Sequence, residues 1–536
     1  MDTPFPNQPP PYEGRNLYLT DAALQEAVAR EGAASASDAL TRWGATLGAP
    51  ETYALADAAN RNPPQLRAFD RRGERVDSVE FHPAWDALMR LATAAGEHCA
   101  PWAAPGPGAQ VARAAMYFLH AQVENGTQCP LTMTYACVPV LARHRATLPA
   151  GDVWLSRVLA RDYDPRALPV ESKRAALLGM GMTERQGGSD VRANLTHATL
   201  AGDGTWRISG HKWFLSAPQC DAHLVLAQAD AGITCFLLPR FLPDGARNAV
   251  RINRLKDKLG NRSNASAEVE FDGALAFALG APGRGIPTIL EMVQHTRLDC
   301  VIGSAGIMRG ALAWALHHAS HRIAFGRVLA DQPLMTAVLA DLALEVEGAA
   351  ALALRLARAF DAPKESADRA LARIAIPAAK YWVCKRAPIV AQEAMEVLGG
   401  NGYVEDTPLP RFYREAPVNS IWEGSGNVIC LDVLRAPERE PAAVDALAAE
   451  LAAARGGNAD LDRHAAALLA TLAAPAREPA AARRIAQAIA LALAAATLVR
   501  HAPAPVADAF CASRLADGPF AGAAFGTLPL GCDVHA

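Results

Sequence analysis

Paired cysteines, an excess of charge of one sign and long apolar runs are what this sequence lacks. Its ten cysteines are scattered singly from Cys99 to Cys532, with no CxxC pair and no histidine cluster at metal-ligating spacing. That argues against a disulfide framework or a structural metal, and for the reduced thiols of a cytoplasmic protein. The formal net charge is −3, so bulk charge makes the chain no polycation, and a nucleic-acid role needs a local basic patch. Lysine is missing altogether after Lys385. Met1–Pro11 is proline-rich and polar, without the basic and apolar stretches of a signal peptide. No apolar run is read as reaching the roughly 18–20 residues that cross a bilayer, and the Ala-rich stretch Ile485–Val499 falls short, so no membrane partner is expected. No fixed-period repeat is present.

What is there is alanine and aliphatic sequence: hydrophobic residues make up 51% and aromatics 6%, a composition that favours helix. The chain reads as four regions. Residues 1–178 carry helices such as Asp21–Arg30, Pro83–Gly96 and Ala109–Val123, with apolar residues three to four apart. Residues 179–286 change period. Short strand-like runs (Leu195–Leu200, Thr205–Ser209, His223–Gln228, Ile233–Leu238, Glu268–Phe271) flank turns at Gly202–Gly204 and Asp230–Gly232, a small all-β domain. Residues 287–438 return to helix over Ile289–Ser320, Pro333–Phe360 and Ala367–Leu398, the last ending on Gly399-Gly400 as a left-handed cap. After a charged, proline-containing link at Glu438–Pro441, residues 439–536 form a further Ala-rich helical region and a Pro/Gly-punctuated tail.

Three segments carry chemistry. Gly179–Asp190, GMGMTERQGGSD, sits where helix gives way to strand. Its glycines allow close backbone approach to a flat ligand, and Thr183 and Ser189 offer hydroxyls. Gly210–Ser216, GHKWFLS, sets an aromatic beside a hydroxyl, suited to wall a flavin face. Ile421–Asn427, IWEGSGN, puts a carboxylate on tightly turning backbone, and in an apolar cleft such a group becomes a competent base. Singly, each has an ordinary structural reading: an interdomain loop, a core strand, and a surface turn before a helix capped by Ser425.

Together, in this order and spacing, the three resemble the acyl-CoA dehydrogenase family. The resemblance implies a mainly α fold with a middle β-domain: a helical domain, a β-barrel-like domain, then a four-helix domain, with FAD as cofactor between the last two. Met180, Gly181, Met182, Thr183, Gly187, Gly188 and Ser189 match the loop T-E-x-x-A-G-S-D that contacts flavin and substrate. Phe214, Leu215 and Ser216 match the flavin strand K-x-W-I-[ST]. Ile421, Trp422, Gly424, Ser425, Gly426 and Asn427 surround Glu423, which falls on the catalytic base of I-Y-E-G-[TS]. His321–Gly326 and Met395–Tyr403 resemble R-x-Q-F-G and L-G-G-x-G-Y, through which one subunit touches its neighbour's flavin. This implies cofactor contacts at Arg322, Phe325, Gly399 and Gly400, with Ala324 replacing the Gln. Some members carry the base directly before a helical Arg. Here that pair is Thr296-Arg297, and Thr cannot serve, which favours Glu423. Thr183, Ser189 and Arg297 are the expected substrate contacts.

Longer segments narrow the resemblance to the AidB-type branch, adaptive-response flavoproteins linked to DNA alkylation damage. They are Asn16–Asp21, Phe81–Trp85, Arg254–Asn264 and Pro417–Ser420, together with the extra helical region. That branch implies a homotetramer, weak acyl-CoA dehydrogenase activity and binding of double-stranded DNA through the C-terminal region. Phosphates need Lys or Arg. Residues 440–536 hold seven Arg against nine acids, and Arg435, Arg477, Arg483, Arg484 and Arg514 are the candidate DNA contacts. The alternative functional reading is a metabolic dehydrogenase of short or branched acyl-CoA thioesters. A third is a scaffold in which FAD serves assembly alone.

Overall fold

The computed structural model describes residues 7–474 and 477–516. They fall into two units: the described parts of 1–50, 106–123 and 297–536, mainly helical, and 51–105 with 124–296, which holds the main sheet. These units cross the four sequence regions, because chain that reads as N-terminal helix is shared out between both.

In the sheet unit, two strands form a hairpin, β1 (Gln65–Phe69) and β2 (Arg75–Glu80). Seven more follow: β3 (Leu178–Gly181), β4 (His197–Leu200), β5 (Trp206–Ser216), β6 (Ala222–Ala229), β7 (Gly232–Pro239), β8 (Val250–Leu255) and β9 (Ser266–Ala278). Pairings run β6–β4–β5–β9–β7 and back to β6, which closes a small barrel. β3 joins parallel to β6, and β8 lies along β9. Alternating inward residues (Ile208, Val225, Phe236, Val269 and Phe271 among them) fill its core. The hairpin β1–β2 stands in a region that reads as helix. Its turn Arg71-Arg72-Gly73 between Leu66 and Val79 is a strand signal the helical neighbourhood masks.

The helical unit is laid out close to the limits expected from sequence. Helix Ala22–Arg30 is capped by Asp21, whose carboxylate accepts from the Leu24 N–H at 3.0 Å. Helix Pro333–Arg358 follows, and helix Ala367–Val397 ends on Leu398 in the right-handed region; Gly399, at φ +59° and ψ −140°, is not the left-handed helical cap expected there. Helix Ala367–Val397 is central, packing against Gly426–Arg439, Pro441–Ala452 and Ala482–His501. The described chain after 438 is therefore stitched into this unit rather than standing apart. Arg355 reaches Glu450 at 2.7 Å, and Arg514 reaches Glu345 at 3.1 Å.

Two helices, Gly285–His321 and the segment Pro479–His501, are in fact long and apolar enough to cross a membrane by length and composition. This corrects the reading that none is. Most of each apolar stretch is buried inside the fold, as core helices require. All nine cysteines among the described residues are free and buried; Cys532 lies outside them.

Candidate active site

On the sheet unit, the first two motifs are tied to each other. The Trp213 N–H donates to the Thr183 carbonyl at 2.9 Å, and the Arg185 N–H donates to His211 Nε2 at 3.0 Å. Beneath them lies a residue pair that sequence reasoning passed over. Glu184 accepts from Lys212 Nζ at 2.7 Å, from the Leu195 and Thr196 N–H groups at 2.7 and 3.2 Å, and from Gln186 Nε2 at 2.8 Å. Neither side chain of the Glu184–Lys212 pair is exposed. Burial opposes charge on both partners and pulls the Lys212 pKa down. The donors onto Glu184 outweigh burial there: Lys212 first, then Thr196 and Leu195, hold its pKa down at about 2, and the pair stands ionised. The available signal was positional: an acid directly after Thr183 and a lysine directly before Trp213.

The motif's glycines divide by role. A Cβ on Gly179 would lie 2.4 Å from the His223 ring and one on Gly181 2.5 Å from Leu215, so these two serve packing within the sheet, not approach to a ligand. Gly188 leaves room for the Thr183 hydroxyl, 2.4 Å from where its Cβ would stand. Glu184 and Gly187 exchange backbone hydrogen bonds of 3.1 and 3.0 Å and close the turn. Met180 is buried, Met182 and Thr183 are half-buried, and Ser189 is exposed.

A bulge in β5 between Lys212 and Leu215 turns Trp213 and Phe214 opposite Glu268. Lys256 Nζ lies 3.7 Å from the Trp213 ring centroid and 4.5 Å from that of Phe214. Phe214 is 51% exposed, Leu215 buried, and the Ser216 hydroxyl lies 3.3 Å from that of Ser266. An exposed aromatic face with half-buried hydroxyls at Thr183 and Ser216 fits the flat ring and polar edge of a flavin.

On the helical unit, Glu423 is half-buried and holds φ +59°, left-handed and unusual for a side chain of its size; Gly424 follows at φ +105°. Their carbonyls are held by two cations. Arg297 Nε donates to the Glu423 carbonyl at 3.0 Å, and Lys380 Nζ donates to the Gly424 carbonyl at 2.9 Å. Arg297 also pairs with Asp432 at 2.9 Å, and Arg373 takes the other Asp432 oxygen at 3.0 Å. Desolvation pushes the Asp432 pKa up, but the two guanidinium groups more than offset it and leave it lowered. Arg297, expected as a substrate contact, thus positions the base segment. Lys380 was not anticipated, its sequence signal being only a lysine directly after the apolar run Ile374–Ala379. Trp422 Nε1 donates to Asn419 Oδ1 at 3.0 Å, Ile421 is exposed, and Ser425 opens helix Gly426–Arg439 without a side-chain cap, against the capping alternative.

Elsewhere on this unit, Phe325 is fully exposed at the tip of a two-residue turn, with φ +52° and Gly326 at +77°, between Ile323–Ala324 and Arg327–Val328. Arg322 donates to the Asn7 carbonyl at 2.6 Å. Gly399 and Gly400 present bare backbone, with nothing within 4 Å of where a Cβ would stand. Such a surface admits a cofactor at close range.

The DNA candidates separate by engagement. Arg514 is held by Asp341 and Glu345, and Arg477 by Glu438 and the carbonyls of Leu472 and Ala474. Arg483 donates to Asn427 Oδ1 at 2.8 Å, which joins the C-terminal region to the Glu423 segment. Arg435, Arg483 and Arg484 are exposed.

Comparison with known proteins agrees with this geometry. The acyl-CoA dehydrogenase middle domain matches residues 179–274, its C-terminal domain 283–437, and the N-terminal domain of adaptive response protein AidB residues 7–165. The chain belongs to the acyl-CoA dehydrogenase family, FAD-dependent oxidoreductases, and within it to the AidB group. It is 49% identical over 94% of its length, and 93% of the relative's, to the Escherichia coli (strain K12) protein named "Putative acyl-CoA dehydrogenase AidB". It is 31% identical to acyl-CoA dehydrogenase family member 11 of Caenorhabditis elegans, over 72% of this chain and 64% of that one. The structure of Caenorhabditis elegans ACDH-11 in complex with C11-CoA superposes with TM-score 0.87 at 27% identity, covering 96% of this chain and 94% of that one. Butyryl-CoA dehydrogenase of Megasphaera elsdenii shares the fold at TM-score 0.58 and 21% identity, covering 78% of this chain and 98% of that one.

Proposed function

We propose that this protein oxidises acyl-CoA thioesters with Glu423 as the base, and that it does so in the cytoplasm as part of the adaptive response to DNA alkylation. The observation that carries the chemistry is the left-handed Glu423, with its own carbonyl and the next fixed by Arg297 and Lys380. A carboxylate on backbone so constrained is aimed before substrate arrives, and preorganisation of this kind is where much of a catalytic advantage lies.

In this reading Glu423 takes the α-proton of the thioester, and the Glu423 N–H hydrogen-bonds the thioester carbonyl, so the α-carbon is acidified as charge moves onto oxygen. FAD, when bound, supplies the acceptor for the β-hydride. On the sheet unit Phe214 would wall the flavin and Thr183 and Ser216 would meet its polar edge. On the helical unit Phe325 and the Gly399-Gly400 backbone would serve a neighbouring subunit's cofactor in a homotetramer. An acyl-CoA ligand is supported by the C11-CoA complex of ACDH-11, whose fold this chain shares. Anaerobic titration with acyl-CoA of increasing chain length tests the proposal: bleaching of the flavin that vanishes in Glu423→Gln supports it, and an unbleached flavin with every thioester sinks it.

Duplex DNA is the second partner. Its support is the AidB membership and the exposed arginines 435, 483 and 484. A salt titration of duplex binding by the FAD-loaded protein tests it; no binding at low salt removes DNA from the reading.

A further inference from the structure

Lys380 is a cation beside the base segment for which the acyl-CoA reaction has no direct use. It lies on helix Ala367–Val397 with 1% of its surface exposed, and its ammonium's hydrogen bond is to a neutral group, the Gly424 carbonyl, at 2.9 Å. It enters no ion pair among the described residues. An ammonium taken out of water without a carboxylate is costly, and a carbonyl alone offsets little of that cost. The cation persists where surrounding structure holds it, and here what it holds is one residue from Glu423. Arg297 differs: its charge is already neutralised by Asp432 at 2.9 Å.

Resting on Glu423 as the base, we propose that Lys380 is a positioning residue for it, with two effects: its hydrogen bond fixes the Gly424 peptide, and its uncompensated charge keeps the Glu423 carboxylate ionised and ready to accept a proton. The hydrogen bond acts with that of Arg297 to clamp two successive carbonyls and so hold Glu423 at φ +59°. The charge is felt because the ammonium itself is buried and so weakly screened by solvent. The other charged or titratable groups around this segment are Arg297 and Arg373, which share Asp432, Arg373 also meeting Glu440; Asp299, bound to Arg113; the buried thiols of Cys300, Cys384 and Cys430; Tyr381 and Lys385 beside Gly426; and Arg483, which donates to Asn427. Among the described residues the cations here without an acid partner are Lys380, Lys385 and Arg483, and of these three only Lys380 is buried.

The test compares wild type, Lys380→Met, Lys380→Gln and Glu423→Gln as FAD-loaded proteins. It follows flavin absorbance, FAD content, melting temperature, and the anaerobic rate of reduction by a saturated medium-chain acyl-CoA across pH. Met removes bond and charge, whereas Gln keeps a donor for the Gly424 carbonyl without the charge. Lys380→Met should retain FAD, hold KM within about twofold, and move the acid limb of kcat to higher pH, with about a tenfold loss of rate below the limb for each pH unit it moves. Lys380→Gln should recover melting temperature and leave the limb displaced. An acid limb that stays in place in both variants overturns the proposal. So does a loss of rate that only follows lost FAD or melting temperature, or a failure of both variants to bind FAD, since the role is then structural. If Glu423→Gln is reduced as fast as wild type, it is the base assignment that fails, separately from Lys380.

Discussion

The Lys212 ammonium stands 2.7 Å from the Glu184 carboxylate, with neither side chain exposed. This pair joins the loop of Thr183 to the strand of Phe214, so the two flavin-suited motifs share one electrostatic anchor. Breaking it from one side leaves an uncompensated buried charge. Lys212→Met should therefore cost about 3–5 kcal/mol of stability, measured by denaturant unfolding, and reduce FAD retention. Replacing both partners, as Glu184→Leu with Lys212→Met, should recover part of that loss.

The same pair sets an acid limit. The Glu184 pKa is held at about 2, below that of the unfolded chain. A depressed carboxyl stabilises the fold fully above its unfolded pKa of about 4.3 and loses that contribution as pH falls through the folded value. Acid unfolding followed by circular dichroism should steepen between those limits in wild type. Glu184→Gln, lower in stability at neutral pH, should show a shallower dependence there.

Much of the fold was legible in the sequence, and the reasons are local. Asp21 and Gly96 mark helix ends through caps that depend on a few neighbours, and helix Ala367–Val397 follows its apolar spacing. The strands around Gly202–Gly204 and Asp230–Gly232 lie where the turn residues put them. The Glu423 segment was recognised by its motif, but its clamp was not. Arg297 lies 126 residues away and Lys380 44, and nothing local says that a lysine in an apolar helix meets a carbonyl there. The Glu184–Lys212 pair, 28 residues apart across a bulged strand, escaped notice for the same reason.

The two kinds of glycine at the site give opposite expectations. Gly424 holds φ +105°, and a Cβ there would lie 3.3 Å from Ile429 and 3.5 Å from Arg297. Gly424→Ala should cost about 1–3 kcal/mol in strained backbone and lower kcat by displacing the adjacent Glu423. Gly400 has open space around it. Gly400→Ala should leave the melting temperature of the apoprotein unchanged, while FAD content falls if bare backbone is what the cofactor needs. Absorbance ratios and thermal melts separate the two.

The exposed and engaged arginines should part company in a DNA-binding assay. Arg514 lies half-buried between Asp341 and Glu345, so Arg514→Ala takes a cation from Asp341 and leaves Glu345 with Arg386, and should destabilise the fold by about 1–3 kcal/mol. Any loss of duplex binding in that variant should disappear once only the folded fraction is counted. Arg484 is exposed at the start of helix Ala482–His501, where Arg484→Ala should change melting temperature little. If Arg484 meets a phosphate, its removal weakens binding for every sequence and lowers the slope of log affinity against log salt by about 0.9. A slope unchanged in Arg484→Ala, Arg483→Ala and Arg435→Ala alike would move the DNA contact away from this face of the helical unit.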